Sequence, residues 1–175
     1  MNTDIQESAC QVFGFLCSRY EFGRKTISRS HVRFESKLVF FDINASSRDG
    51  ICVDFGRFNA PGVFPENKTE ELSLGTFFGA LETHRGTFKN ADYHYDDFGL
   101  GHLAASLEPF GHGLIVGDSA LYELARQLRF WHVGQYVTQW GKSIVMTPEE
   151  IEKQKELLSA IDKLIPTANQ SRQIC

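Results

Sequence analysis

Residues 38–43 read Leu38-Val39-Phe40-Phe41-Asp42-Ile43, and this stretch decides the fold class. Consecutive side chains of a β-strand point to opposite faces of the sheet, so a half-exposed strand alternates apolar with polar residues. Here almost every position is apolar, which predicts a strand that is covered on both faces. We therefore place residues 38–43 at the centre of a sheet.

Further strands are predicted on both sides of this centre. The run from Thr26 to Glu35 mixes apolar and polar residues in rough alternation, and residues 51–58 alternate more regularly. Residues 44–50 have the composition of a turn, with Asp-Gly as the strongest signal. Together these segments predict an antiparallel meander of three to four strands.

An N-terminal helix is predicted before the meander. Thr3 and Gln6 form a candidate capping box, and apolar side chains then recur at helical spacing as far as Tyr20. Gly23 is a natural stop for this helix.

Three to four helices are predicted after the meander. Ser73, Asp118 and Thr147 are candidate N-caps, and residues 98–110 carry leucines at helical intervals. Gly111-His112-Gly113 is interpreted as a helix terminator. The helix behind Thr147 has Pro148 at its first position and is expected over about 148–165.

Strands gathered early and helices gathered late are typical of an α+β fold, with the helices packed on one sheet. A length of 175 residues suits one domain spanning 1–175. A loop is expected over about 59–72 and a flexible tail over 166–175. Loops of that length within a compact domain are often functional.

The charge balance argues against a nucleic-acid-binding protein, because 18 basic and 22 acidic residues give a net charge of −4. The charges are nevertheless segregated. Basic residues gather near the start, and they are Arg19, Arg24, Lys25, Arg29, Arg33 and Lys37. Acidic residues gather in the middle, and they are Asp92, Asp96, Asp97 and Glu108. Two interpretations stay open: ordinary solvated faces, or a bipolar surface that meets a charged partner.

The four cysteines lack the C-x-x-C spacing of a zinc or redox site, so we expect buried, reduced thiols. The first residues do not resemble a signal peptide, and no run of 18 apolar residues predicts a membrane span. A cytoplasmic location follows by elimination. No cofactor or metal is expected.

The most site-like segment is Tyr93-His94-Tyr95-Asp96-Asp97. An imidazole two residues from a carboxylate can ligate a metal or act as a base beside its orienting acid. His102 is the further residue that such a site would use. The other interpretation of this segment is a polar, aromatic contact surface. Residues 130–140 form a second aromatic stretch, for which core packing and a partner anchor both stay open.

Several short segments carry a family resemblance, and they are Phe13-Gly14-Phe15-Leu16, Tyr20-Glu21-Phe22, Val32-Arg33-Phe34-Glu35-Ser36, Val39-Phe40-Phe41-Asp42-Ile43 and Gly117-Asp118 before Leu121, Glu123 and Leu124. They resemble a group of small bacterial proteins in which a helix ends in a Tyr-Gly-Phe-like turn and an antiparallel sheet follows. Glu21 stands where glycine is usual in that turn. Many such proteins are similar to immunity proteins that neutralise toxins. The resemblance implies binding and transfers no catalytic residue.

The first functional expectation is therefore a non-enzymatic protein-binding module, an immunity protein that blocks a basic toxin domain. The expected contact residues are Asp92, Tyr93, Tyr95, Asp96, Asp97 and Glu108. The alternative is a small hydrolase or metal-dependent enzyme that uses His94, Asp96 and His102. A structural or assembly protein, seen as a homo-oligomer, is a third possibility.

Overall fold

The structure, a computed structural model, describes residues 5–46, 50–58, 72–86, 97–128, 135–137 and 143–165. Helices stand at both ends of this described part, and a sheet follows the first of them, as the sequence predicts. The helices are α1 (Ile5–Tyr20), α2 (Leu74–Arg85), α3 (Asp97–Phe110), α4 (His112–Val116), α5 (Ser119–Gln127) and α6 (Pro148–Leu164).

Five antiparallel strands form the main sheet in the order of the chain, β1-β2-β3-β4-β5. The strands are β1 (Gly23–Ser28), β2 (His31–Glu35), β3 (Val39–Ser46), β4 (Gly50–Arg57) and β5 (Leu72–Ser73). A separate two-stranded sheet consists of β6 (Gln135–Val137) and β7 (Ser143–Val145). The fold is α+β.

The predicted central strand is β3, the third of the five strands. Its side chains are buried on both faces of the sheet, because Phe40 and Phe41 are both fully buried although they point in opposite directions. The prediction is wrong at one end. Leu38 precedes the strand and is 53% exposed.

An aromatic row crosses the sheet on the face that the helices cover. Phe34, Phe41 and Phe55 are register partners on β2, β3 and β4, so their side chains share one face. The ring centroids of Phe41 and Phe55 lie 6.2 Å apart. Burial of a phenylalanine side chain contributes about 1.5–3 kcal/mol, so this row is a large part of the core. The helical rings that contact the row are Phe13 of α1, Phe77 of α2 and Tyr122 of α5.

The three predicted N-caps are present. Each cap side chain accepts a hydrogen bond from a backbone N–H in the first turn of its helix: Ser73 at α2, Asp118 at α5 and Thr147 at α6. At α6 the capping box is complete, because the Thr147 N–H also donates to the Glu150 carboxylate over 2.7 Å.

Other boundaries differ from the predictions. The run from Thr26 to Glu35 is a hairpin, with β1 and β2 on either side of a turn at residues 29–30. Gly111-His112-Gly113 separates α3 from α5 by starting the short helix α4, so it does more than end a helix. Leu72, the last residue of the predicted loop, belongs to β5. The rest of that loop, the tail 166–175 and the predicted aromatic stretch 130–140, apart from Gln135–Val137 in β6, lie outside the described residues.

The end of α1 contains a backbone conformation that is costly for its residue type. Glu21 has φ 59°, in the left-handed region that favours glycine. This turn brings the Phe22 N–H back to the Leu16 carbonyl over 3.2 Å and places the Phe22 ring 5.9 Å from that of Phe41. Phe22 is 6% exposed, so the left-handed conformation of Glu21 allows the Phe22 side chain to be buried.

We expect Glu21→Gly to raise the free energy of unfolding by about 1 kcal/mol, because glycine adopts this conformation without the Cβ clash. Chemical denaturation of both proteins measures the change. Glu21→Ala is the matched control, since alanine keeps the Cβ, and it should give no comparable gain. Equal stabilisation by both variants would contradict this explanation.

The capping box predicts a titration. The Thr147 backbone N–H, followed by the Thr147 hydroxyl, lowers the pKa of Glu150. A carboxylate with a lowered pKa stabilises the fold above its unfolded-state pKa, and this contribution is lost as pH falls through the folded-state value.

Thr147→Val removes the hydroxyl, so the pKa of Glu150 should rise toward the ordinary glutamate value. An NMR titration of the Glu150 carboxyl measures it. Thr83→Val removes a hydroxyl on α2, whose bond is to the Gly79 carbonyl, and should leave that titration unchanged. An unchanged Glu150 titration in Thr147→Val would argue against the box.

Candidate partner-binding surface

The face of the sheet opposite the aromatic row carries polar and charged side chains. Cross-strand register places one row on this face through all five strands, and its members are Lys25, Arg33, Asp42, Asp54 and Ser73. The row runs from basic at β1 to acidic at β3 and β4.

Asp42 is the buried centre of this row, at 5% exposure. Its Oδ1 lies 2.8 Å from the His31 Nε2 and accepts a 2.8 Å hydrogen bond from the Arg33 Nε. A second Arg33 nitrogen, Nη2, donates to Oδ2, so the guanidinium pairs with both carboxylate oxygens. The Arg33 guanidinium also lies over the Phe40 ring, 4.5 Å from its centroid.

This arrangement fixes two side chains of β2. A carboxylate that is removed from water needs several donors, and Asp42 obtains them from Arg33 and His31. Arg33, whose side chain is 20% exposed, is thereby neutralised and held in one orientation. The sequence analysis did not identify this network. The signal was a single acidic residue within an apolar strand, with two basic residues at i and i+2 on the preceding strand.

A basic surface lies beside the network, at the first edge of the sheet. Four exposed cationic residues lie along this edge and at the two ends of β2, and we call them the basic edge: Arg24 and Lys25 on β1, whose side chains point to opposite faces, Arg29 in the turn before β2, and Lys37 in the turn after it. The Arg24 Nη1 lies 2.7 Å from the Cys10 Sγ of α1.

Four cations of the helices, by contrast, have carboxylate partners. Their ion pairs are Arg19–Glu108 between α1 and α3, Arg85–Asp162 between α2 and α6, Arg126–Glu123 within α5, and Lys155–Glu152 within α6. Among the described residues, no carboxylate forms such a pair with a cation of the basic edge.

The cysteines near this surface depart in part from their prediction. Among the described residues, Cys10, Cys17 and Cys52 form no disulfide, as expected of reduced thiols. Cys17 is exposed, so its predicted burial is wrong. Partial burial raises the pKa of the Cys17 thiol, and the charge of Arg24 opposes that rise.

The predicted contact residues fall mostly outside the described residues: Asp92, Tyr93, Tyr95 and Asp96 lie there, as does His94. Asp97 is the first residue of α3. Glu108 lies near the end of the same helix, where its carboxylate pairs with Arg19 of α1. The predicted acidic cluster is thus seen only at these two residues, which stand at opposite ends of one helix.

Of the three residues in the alternative enzyme site, the structure describes His102. Its Nε2 lies 2.8 Å from the Glu82 Oε1, which joins α3 to α2. His102 is half exposed. Among the described residues no three His, Cys, Asp or Glu side chains gather in a group that could hold a metal ion.

Comparison with protein-family models, with curated proteins and with solved structures finds no match to this chain. Within the described part, no helix has both the length and the apolar character needed to cross a membrane.

The Asp42 network predicts a large mutational effect. Asp42→Asn leaves the partly buried guanidinium of Arg33 without the Asp42 carboxylate, so we expect a loss of about 3 kcal/mol in the free energy of unfolding. Chemical denaturation of the purified variant measures it.

The double variant Arg33→Met with Asp42→Leu removes both charges and is the informative control. Replacing both partners by apolar groups avoids the unpaired charge, so the double variant should be more stable than Asp42→Asn. If Asp42→Asn were as stable as the natural chain, the network would have no structural role.

Proposed function

We propose that the chain is a non-enzymatic protein-binding module that recognises a charged partner by complementary charge, as immunity proteins do when they neutralise a toxin. The observation that carries the proposal is the unbalanced charge of the basic edge. No carboxylate of the described residues pairs with these four cations, so they add no ion-pair stabilisation to the isolated chain. A partner of opposite charge supplies such pairs, and it is also steered toward the surface during association.

The contact residues named from the sequence are proposed as the other half of a bipolar surface. Four of them are acidic and suit a basic region of the toxin, and two are aromatic: Asp92, Tyr93, Tyr95, Asp96, Asp97 and Glu108. Glu108 can take part although it already pairs with Arg19, because the two side chains are 39% and 63% exposed. Exposed ion pairs contribute only about 0–1 kcal/mol, so exchanging Arg19 for a cation of the partner costs little.

The proposal predicts a toxin-like gene beside the gene for this chain, and two measurements with the product of that gene test it. Co-expression should rescue growth, and the two proteins should co-purify. In vitro, a binder abolishes toxin activity at an equimolar ratio, whereas an enzyme inactivates excess toxin over time. Binding by charge complementarity should also weaken as salt is raised.

A catalytically impaired toxin that keeps its fold is the control for co-purification, since it should still form the complex. If co-expression does not rescue growth and the two proteins form no complex, the proposal is wrong. Inactivation of toxin in excess over the chain would favour the enzyme alternative that uses His94, Asp96 and His102.

A further inference from the structure

Within the part of the chain that the structure describes, strand β1 is an open edge of the main sheet. It stands first in the strand order and pairs with β2 on one side. All six of its residues, Gly23–Ser28, are exposed. The opposite end of the sheet differs, because β5 has two residues and is directly continued by α2. An exposed strand edge offers backbone N–H and C=O groups to an added strand.

The strand is held in its extended shape before any partner arrives. Four consecutive register pairs, from Gly23↔Glu35 to Thr26↔Val32, join it to β2. The Gln6 side-chain amide of α1 donates to the Ser28 carbonyl over 3.1 Å and ties down the far end. Because β1 is already ordered, a partner strand meets a preorganised edge, and little conformational entropy is lost on the side of this chain.

We propose that β1 is a docking strand, to which an acidic extended segment of the partner protein adds as a sixth strand of the sheet. This proposal rests on the proposed function and specifies one of its contacts. Main-chain hydrogen bonds supply attraction that does not depend on sequence. Lys25 selects glutamate or aspartate on one face of the added strand, and Arg24, whose side chain points to the other face and contacts Cys10, adds positive charge there.

Charge favours an acidic segment over a second copy of this chain. Two β1 strands paired edge to edge would bring their Arg24 and Lys25 side chains together, and like charges on paired strands are destabilising. Lys25 already stands opposite Arg33 on β2, a contact made tolerable by Asp42, which neutralises Arg33. A further cation beside Lys25 would have no carboxylate to neutralise it, whereas an anion at that place would be attracted to Lys25.

A register shift defines how far the added strand extends. The pairing of β1 with β2 is interrupted between Thr26 and Ser28, and such irregularities end regular pairing at sheet edges. The docking segment is therefore Gly23–Thr26. Ile27, which is 47% exposed, lies just beyond it and offers contact to one apolar side chain of the partner.

A nucleic acid fits this edge less well than a peptide does. The edge of a strand presents carbonyl oxygens as well as N–H groups, and the carbonyls repel a phosphate backbone. An added peptide strand uses both kinds of group. The sign of the charge alone would allow either ligand, so the test contains both.

The experiment is an NMR titration of the full chain with a capped peptide of alternating glutamate and valine. Backbone amide shifts should concentrate on Gly23–Thr26 and on their neighbours in β2. A second peptide of the same sequence is N-methylated at alternate residues, on the edge that would face β1. It should lose binding, because N-methylation removes the donors of the main-chain bonds while leaving the charge unchanged.

The double variant Lys25→Glu with Arg29→Glu should weaken binding of the unmethylated peptide by about tenfold or more. Lys153→Glu with Lys163→Glu is the matched control: it changes net charge equally at exposed positions of α6 and should leave the affinity unchanged. The methylated peptide tests the proposal even if a variant folds poorly.

Any of four results would overturn the proposal that β1 is a docking strand. They are amide shifts located elsewhere, equal binding of both peptides, tighter binding of single-stranded DNA than of peptide at β1, and self-association through β1. A toxin complex that forms and is unaffected by the Lys25 and Arg29 reversals would leave the proposed function standing and remove this contact. If the peptide binds at β1 but no toxin complex forms, the docking strand stands and the proposed function is wrong.

Discussion

Phe41 and Asp42 are neighbours in β3, and their side chains enter two different environments on opposite faces of the sheet. Phe41 lies in the aromatic row that the helices cover, whereas Asp42 accepts hydrogen bonds from Arg33. A slip of one residue in the pairing would exchange the two, burying a carboxylate among phenylalanine rings. The register of the sheet is therefore fixed from both faces, and the positions of β1 and β4 follow from it.

The same register connects the buried network to the surface. Asp42 neutralises Arg33, and Arg33 is the register partner of Lys25 on β1. Without that neutralisation two cations would face each other across the first pair of strands, at a cost in stability. The buried carboxylate thus permits an edge strand that is basic and still well paired. The charge at the surface depends on an interaction two strands away.

Local signals in the sequence were sufficient for the order of the elements and for the caps. The apolar run before Ile43 predicted the central strand, and Thr147 with Pro148 predicted the start of α6. The β1–β2 turn was missed because Arg29 and Ser30 lack the strong signal of Gly, Pro or Asn, and serine favours turns more weakly. The Ser28 hydroxyl supports the turn by accepting from the Ser30 N–H. The Asp42 network was missed for another reason, since it depends on which residues pair across strands.

The basic edge combines two roles that usually conflict. An open strand edge that pairs readily with a partner also pairs readily with itself, and the common remedy is to place lysine on it. Here Lys25 and Arg24 discourage a second copy by repulsion, and the same charges attract an acidic strand. Selectivity therefore comes from the sign of the charge, with the apolar contact limited to Ile27. Because exposed charges are screened over about 8 Å at physiological salt, the discrimination is strongest at contact distance, and the steering of a partner from further away weakens as salt is raised.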